Sequence, residues 1–473
     1  MKKLSALLFI FTFPLLMQAQ QPCDCLYNLK ETITHTEANY AGFPTKVNKK
    51  TRQTYEKLVA RLQTDAASES NPKKCFYLIK DYIRFFKDKH FSFSYLSKDD
   101  YDREILNIDE KYFKTLKPGN GPEGIWINPD SSITLGIKKF QNNEYKALIL
   151  NSKDPKLPKG LVYFVLKPHQ KGYLLRQYNV FSSIDFYARQ REGLLQLWNF
   201  SMFGRTFPKE MSGSEKVELN TWKGNNNGLS FRKLNKETSY IKIPTFFNND
   251  SKIEKLVTAN DSEIRNSEFL IIDLRGNGGG NSGWSTLLPY VMTGPIKQNA
   301  PLLRISKDNV HLKRSELEPL VKNPVAAEMK KYFPDEYMIR LKKIYEELPT
   351  TTHTFYQIPG PTIPADAILS KPSKVALITD ELCGSSTEYF FQLMAQSKKT
   401  TRYGTNSVGM MDYEGPTTAT PLPFKKFILM IPVSKSSWTD KHPIDETGFS
   451  PDRKLSIPPK QWINYIMTDL RKK

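Results

Sequence analysis

The sequence predicts an α/β core at residues 216–473, preceded by a helical region at 21–99 and a small β module at 100–215. Three observations carry this reading. In the last half, the apolar and β-branched runs at Tyr240–Ile243, Leu270–Asp273, Val375–Thr379 and Phe427–Val433 alternate with helical stretches, the order of an α/β layer. From about 100 to 215, short alternating runs such as GIWIN and SSITLGIKKF are punctuated by Gly, Pro, Asn and Asp, which suggests a small barrel or sandwich. Residues 26–97 repeat their apolar positions with helical period in two or three stretches. A chain of 473 residues is long enough to bury more than one core, and two or three domains fit its length.

Taken in order, the first twenty residues, MKKLSALLFIFTFPLLMQAQ, place two lysines before an apolar segment and end in small and polar residues. That is the pattern of a secretory signal at 1–20 cleaved near Ala19 to Gln21, so the chain is expected to be exported, periplasmic or secreted. Lipidation of Cys23 ranks second, because Ala19-Gln20-Gln21-Pro22 lacks the small residues usual before a lipidated cysteine. No later segment is long and apolar enough to span a bilayer, and no stable membrane insertion is expected. All four cysteines lie beyond the cleavage point. In an oxidising compartment a bridge from Cys75 to Cys23 or Cys25 would tie the mature amino terminus to the following helix, and spacing does not choose between the two. No second Cys or His pair accompanies Cys23-x-Cys25, so no metal is expected. Cys383 reads as a small buried filler.

The helical region closes on CFYLIKDYIRFFKDKHFSFSY, where Tyr77, Ile79, Tyr82, Ile83, Phe85 and Phe86 make a broad apolar face. The pattern then turns to alternation at Phe91, Phe93 and Tyr95, and His90 sits at the change. Inside the core, residues 315–348 are charged and helical in pattern and read as a helical insertion, followed by a Pro-rich return, PGPTIPAD. Sixty-nine Lys and Arg against 49 Asp and Glu give a formal charge of +20. The basic residues are scattered in pairs such as Lys49-Lys50, without the dense tract of a nucleic-acid module, so no nucleic-acid partner is expected.

Two core segments carry candidate chemistry. SKVALITDELCGSSTE, from Ser373 to Glu388, reads as a buried strand, a tight turn at Gly384 and a helix beginning near Ser385. Ser385-Ser386-Thr387-Glu388 also fits a capping box, in which Ser385 would only satisfy orphan amides. The second segment, FLIIDLRGNGGG at 269–280, is a buried strand that ends in glycines whose free N–H groups can surround a developing negative charge. A nucleophile turn and an anion-binding turn together are what acyl transfer needs. The oxyanion donors would be the N–H of Ser386 with that of Gly278 or Gly279, while Asp273 and Arg275 hold the turn.

DLRGNGGG, then GSSTE, then DETGFSPD at Asp445 to Asp452, resemble in order the elements of the C-terminal-processing (tail-specific) and tricorn-type serine peptidase family. The resemblance spans about 235–460 and a patch near His90. It implies a crotonase-like (ClpP-like) spiral ββα core and hydrolysis of peptide or protein substrates without cofactor or metal. Processing-type relatives place a lysine base where this chain has Met410, so a Ser-Lys dyad is not expected. Asp88-Lys89-His90 matches the D-x-H element of the tricorn-type branch, implying Ser385 as nucleophile and His90 as general base. Asp445 or its neighbour Glu446 aligns with the family carboxylate. Tricorn-type members carry a serine before the histidine, where this chain has Lys89. His442 is a second choice for the base. Retinoid-binding relatives leave a catalytically silent binding protein as the alternative. Substrate preference and oligomeric state are written in no motif.

Overall fold

The computed structural model describes residues 23–96, 103–169, 172–414 and 419–472. The expected signal segment lies outside them. Among the described residues no helix is long and apolar enough to cross a membrane.

The amino-terminal region is helical at Cys25–Asn39, Arg52–Ala66 and Pro72–Arg84. Asp24 and Asn71 cap two of these helices, their side chains accepting N–H groups of the first turn. Of the two possible disulfides the structure contains Cys25–Cys75, and Cys23 is a buried free thiol.

The β module is a closed barrel of eight antiparallel strands between Gly124 and Phe207. Its interior is filled by Trp126, Leu135, Ile137, Phe164, Leu166 and Phe203, so it is a packed core rather than a channel. Alternation in the sequence thus correctly marked strands, and closure removes their edges.

The core sheet has six strands in the order Ser230–Lys233, Thr238–Lys242, Phe269–Asp273, Lys374–Thr379, Thr400–Gly404 and Arg453–Lys454. All neighbours are parallel except the first pair. The two central strands are buried on both faces, which explains their unbroken apolar runs. The insertion forms two helices, Lys307–Lys322 and Asp335–Glu347, packed on each other through Leu317, Leu341 and Ile344.

One expected core strand lies elsewhere. Phe427–Met430 is not in the six-stranded sheet; it pairs antiparallel with Ser92–Tyr95, which also pairs with Phe181–Ser182, in the connection between the barrel strands Gly172–Gln177 and Phe186–Arg191. Phe93 and Tyr95 point into a core shared with Phe427, Leu429 and Tyr413. This small sheet ties the helical region, the barrel region and the core together, and it delivers the residues just before Ser92 to the core.

Candidate active site

Ser385 follows the central strand Lys374–Thr379 and precedes the helix Ser386–Leu393. Its backbone lies at φ 51° and ψ −122°, a conformation that residues with side chains seldom adopt and that tends to mark functional turns. Glu388, fully buried beneath the turn, holds it. One carboxylate oxygen accepts from the N–H groups of Ser385 at 3.2 Å and Met410 at 2.8 Å, the other from Gly409 N–H at 2.6 Å and the Ser407 hydroxyl. Burial pushes the Glu388 carboxyl up, and these donors oppose that shift. The capping residue of the sequence is therefore the keystone of the turn.

His90 reaches this serine across a sequence separation of 295: its Nε2 lies 3.0 Å from Ser385 Oγ. Nδ1 lies 2.8 Å from the carbonyl oxygen of Tyr413. A carbonyl only accepts, so Nδ1 carries the proton of the neutral ring, and Nε2 presents its lone pair to the serine hydroxyl. The loop before the histidine is fixed by Asp88, whose Oδ1 accepts the N–H groups of His90 at 2.8 Å and Phe91 at 3.3 Å. Its Oδ2 accepts from the buried Tyr40 hydroxyl at 2.9 Å. Burial, with the charge of Asp445 adding, pushes Asp88 up to about 6.

Asp445 and Glu446, expected at the third position, do not touch the imidazole. Asp445 is buried and bonds Lys46 through Oδ2 at 2.7 Å, while its Oδ1 has no hydrogen-bond partner. Glu446 is exposed and lies 3.8 Å from Lys87. The physical reason is that the Tyr413 carbonyl already occupies the hydrogen-bonding direction of Nδ1. Asp412, also buried, accepts the N–H groups of Ile444 and Asp445 and is pushed up to about 6 by burial and by Asp445. Lys89 donates to the carbonyls of Gly409 and Asp445, tethering the tail loop rather than facing Ser385. His442 is exposed, with its own N–H bonded to the Trp438 carbonyl. Met410 is a buried apolar side chain against Gly384, in one cluster with Val408 and Trp198, so no base stands on that side.

The glycine turn faces Ser385. At Gly279, φ +100°, an added Cβ would lie 2.7 Å from Ser385 Cβ and 3.0 Å from Ser386 N, so only glycine allows this approach. Two expected donors are already engaged: Gly278 N–H bonds Asn199 Oδ1 at 2.6 Å, and Gly279 N–H bonds Asn277 Oδ1 at 2.9 Å. Ser386 N–H, at the first turn of the helix Ser386–Leu393, has no hydrogen-bond partner among the described residues. Asp273 and Arg275 hold the turn, paired at 2.6 Å, the carboxylate fully buried and the guanidinium partly so. Asp380, which sequence reasoning missed, joins both turns: its Oδ1 accepts from Gly276 N–H and Leu382 N–H, each at 3.0 Å, and its Oδ2 pairs with Arg189 of the barrel at 2.6 Å. Arg189 holds the Asp380 carboxyl below the usual range despite its burial. No local signal marks these partners, because they meet only through the fold. Among the described residues no cluster of His, Cys, Asp or Glu could hold a metal ion.

Residues 237–455 match the model of peptidase family S41. No curated protein matches the chain. Among solved structures, mature CPAF is similar over 94% of this chain and 97% of its own, at 12% identity and a TM-score of 0.51. A point mutant of CPAF is similar over 94% and 97%, at 13% identity and a TM-score of 0.53. At this identity the likeness speaks for a shared fold. The photosystem II D1 C-terminal processing protease is more distant, at 10% identity and a TM-score of 0.38 over 92% of this chain and 94% of its own.

Proposed function

We propose that Ser385 is the nucleophile and His90 the general base of this chain, a serine-type peptidase by the match of residues 237–455 to the peptidase family S41 model, acting on peptide or protein substrates. The observation that carries this is the 3.0 Å approach of His90 Nε2 to Ser385 Oγ, with the ring held in the tautomer that accepts a proton.

In the first step the Ser385 hydroxyl gives its proton to Nε2 as Oγ attacks the scissile carbonyl. The developing oxyanion lies toward Ser386 N–H, where the start of the helix adds its dipole. Gly279 N–H becomes a second donor by exchanging its bond to Asn277 within the turn. The imidazolium keeps its Nδ1–H on the Tyr413 carbonyl and then protonates the leaving amine. Water, deprotonated by the same Nε2, releases the acyl group. The ionised Asp88 stabilises the imidazolium through its field and fixes the backbone of His90.

We place this activity after export. The order of residues 1–20 supports a cleaved signal, and the Cys25–Cys75 bridge suits an oxidising compartment. Hydrolysis of a mixed-sequence peptide library, read by mass spectrometry, tests the function. The native protein should cut and Ser385→Ala should not; a well-folded native protein that binds peptides without cutting them would instead make this a binding protein. Protein recovered from its producing cell should have a mass that begins near Gln20 to Pro22; retained Met1, or a lipid on Cys23, would reject export in this form.

A further inference from the structure

Within the glycine run itself only the Asn277 side chain contributes a hydrogen bond among the described residues, its Oδ1 accepting Gly279 N–H at 2.9 Å. Gly276, Gly279 and Gly280 all have positive φ, and each peptide between them can rotate at little steric cost. The rest of the turn's shape is set by bonds from outside. The core supplies Asp380 to Gly276 N–H at 3.0 Å and Leu274 carbonyl to Asn277 N–H at 2.9 Å. The Asn277 amide is anchored on the Ile243 carbonyl at 2.9 Å. The Asn277–Gly278 peptide, next to the residue that touches Ser385, is held from two sides among the described residues: its carbonyl accepts Gly384 N–H at 3.2 Å from the core, and Asn199 Oδ1 of the barrel accepts its N–H at 2.6 Å.

Asn199 sits at the tip of the hairpin joining Leu194–Leu197 and Ser201–Phe207. Because Gly278 offers a donor, the atom facing it is the carboxamide oxygen, which fixes the side chain's orientation. The tip is docked at a cost. Trp198 has φ 38°, unfavourable for a bulky residue, and its buried Nε1–H has no partner among the described residues. Its indole lies where a Gly278 side chain would be, so position 278 admits only glycine while the hairpin is docked. Gln196, on the same hairpin, packs its amide against Gly276. Strain and an unpaired donor persist only where the surrounding contacts outweigh them, and here those contacts converge on the turn that faces the nucleophile.

We propose that Asn199 is a positioning residue for peptide-bond cleavage: from the barrel, its carboxamide oxygen fixes the Gly278 peptide and thereby the turn opposite Ser385. This rests on the Ser385–His90 reading. The barrel is then part of the catalytic apparatus, not only a wall around the substrate.

The test compares Asn199→Ala with Asn199→Asp, which keeps an acceptor of the same shape. In the full chain, Asn199→Ala should lower kcat about tenfold or more with KM within about twofold, since small misplacement of reacting groups costs rate rather than binding. Asn199→Asp should recover most of that loss, and melting temperatures should stay close to native. Amide exchange over residues 275–282, measured in the Ser385→Ala background, should quicken in Asn199→Ala and not in Asn199→Asp. Unchanged kcat in Asn199→Ala, a rise in kcat that would make the hairpin a plug, or unchanged exchange would each overturn the proposal. The exchange arm does not depend on turnover: an inactive native protein whose exchange responds as described contradicts the Ser385–His90 reading and leaves the turn's anchor in place.

Discussion

The two turns that face each other across the site are built by opposite means. The nucleophile turn is self-contained: a buried strand feeds it, a helix leaves it, and Glu388, three residues on, accepts from the Ser385 N–H and clamps the next loop through Gly409 and Met410. The glycine turn borrows its rigidity from Asp380, Ile243 and Asn199, none of which is near it in sequence. Ser385, at φ 51°, is held by its own helix, as the proposed role of nucleophile requires. In the proposed reaction Gly279 N–H in the opposing turn exchanges its partner, and distributed anchors permit that.

The comparison breaks most sharply at Glu388. Glu388→Ala leaves three backbone N–H groups without their acceptor in a buried turn, at a cost of roughly 3–5 kcal/mol by the usual penalty for unpaired buried polar groups. Urea unfolding should show that loss, and labelling of Ser385 should disappear. A variant as stable as the native protein would mean the turn is not held from below.

How much of this was legible in the sequence follows the same division. The strand, Gly384 and the Ser385–Glu388 spacing are local, so the nucleophile turn could be read directly, although Glu388 was visible only as a helix cap. The strand that the sequence predicts at Phe427 forms, but in another sheet, because pairing partners are set by the tertiary fold. His90 came from a short resemblance; its tautomer depends on Tyr413, and its approach to Ser385 on the Ser92–Tyr95 pairing with Phe427–Met430. Asp445 and Glu446 were placed by alignment to a tail element, and nothing in that element reveals that a backbone carbonyl already meets Nδ1. Asn199 and Arg189 lie in barrel hairpins whose sequence says only that they are strands and turns.

A second, smaller effect concerns pH. Asp88 and Asp412 are each pushed up to about 6, so between about pH 4 and 6 the native state binds more protons than the unfolded chain. Their contribution to stability is therefore greatest at the acid end of that window and declines as pH rises through 6. Asp88→Asn removes one of the two, so its melting temperature relative to native should improve from pH 5 to pH 7. A difference that does not vary with pH would show that Asp88 is not raised. Activity should move the other way, falling below about pH 6 as Asp88 loses the charge that favours the imidazolium.

The smallest effect is expected at Asp445. Since it bonds Lys46 and not His90, Asp445→Asn should lower kcat by less than about tenfold, whereas loss of a carboxylate bonded directly to a catalytic histidine costs about 10⁴. Steady-state kinetics distinguishes these, and a loss of the larger size would make Asp445 the third catalytic member after all.

The central claim is that His90 activates Ser385. Intact-mass and peptide-level analysis after exposure to a fluorophosphonate measures this directly, comparing native protein with His90→Ala at matched folding. The account predicts a single adduct on Ser385 in the native protein and labelling slowed by at least roughly 10³ in His90→Ala, the scale set by removal of a triad base. Labelling of Ser385 at the native rate without His90, or an adduct on another residue, would contradict it.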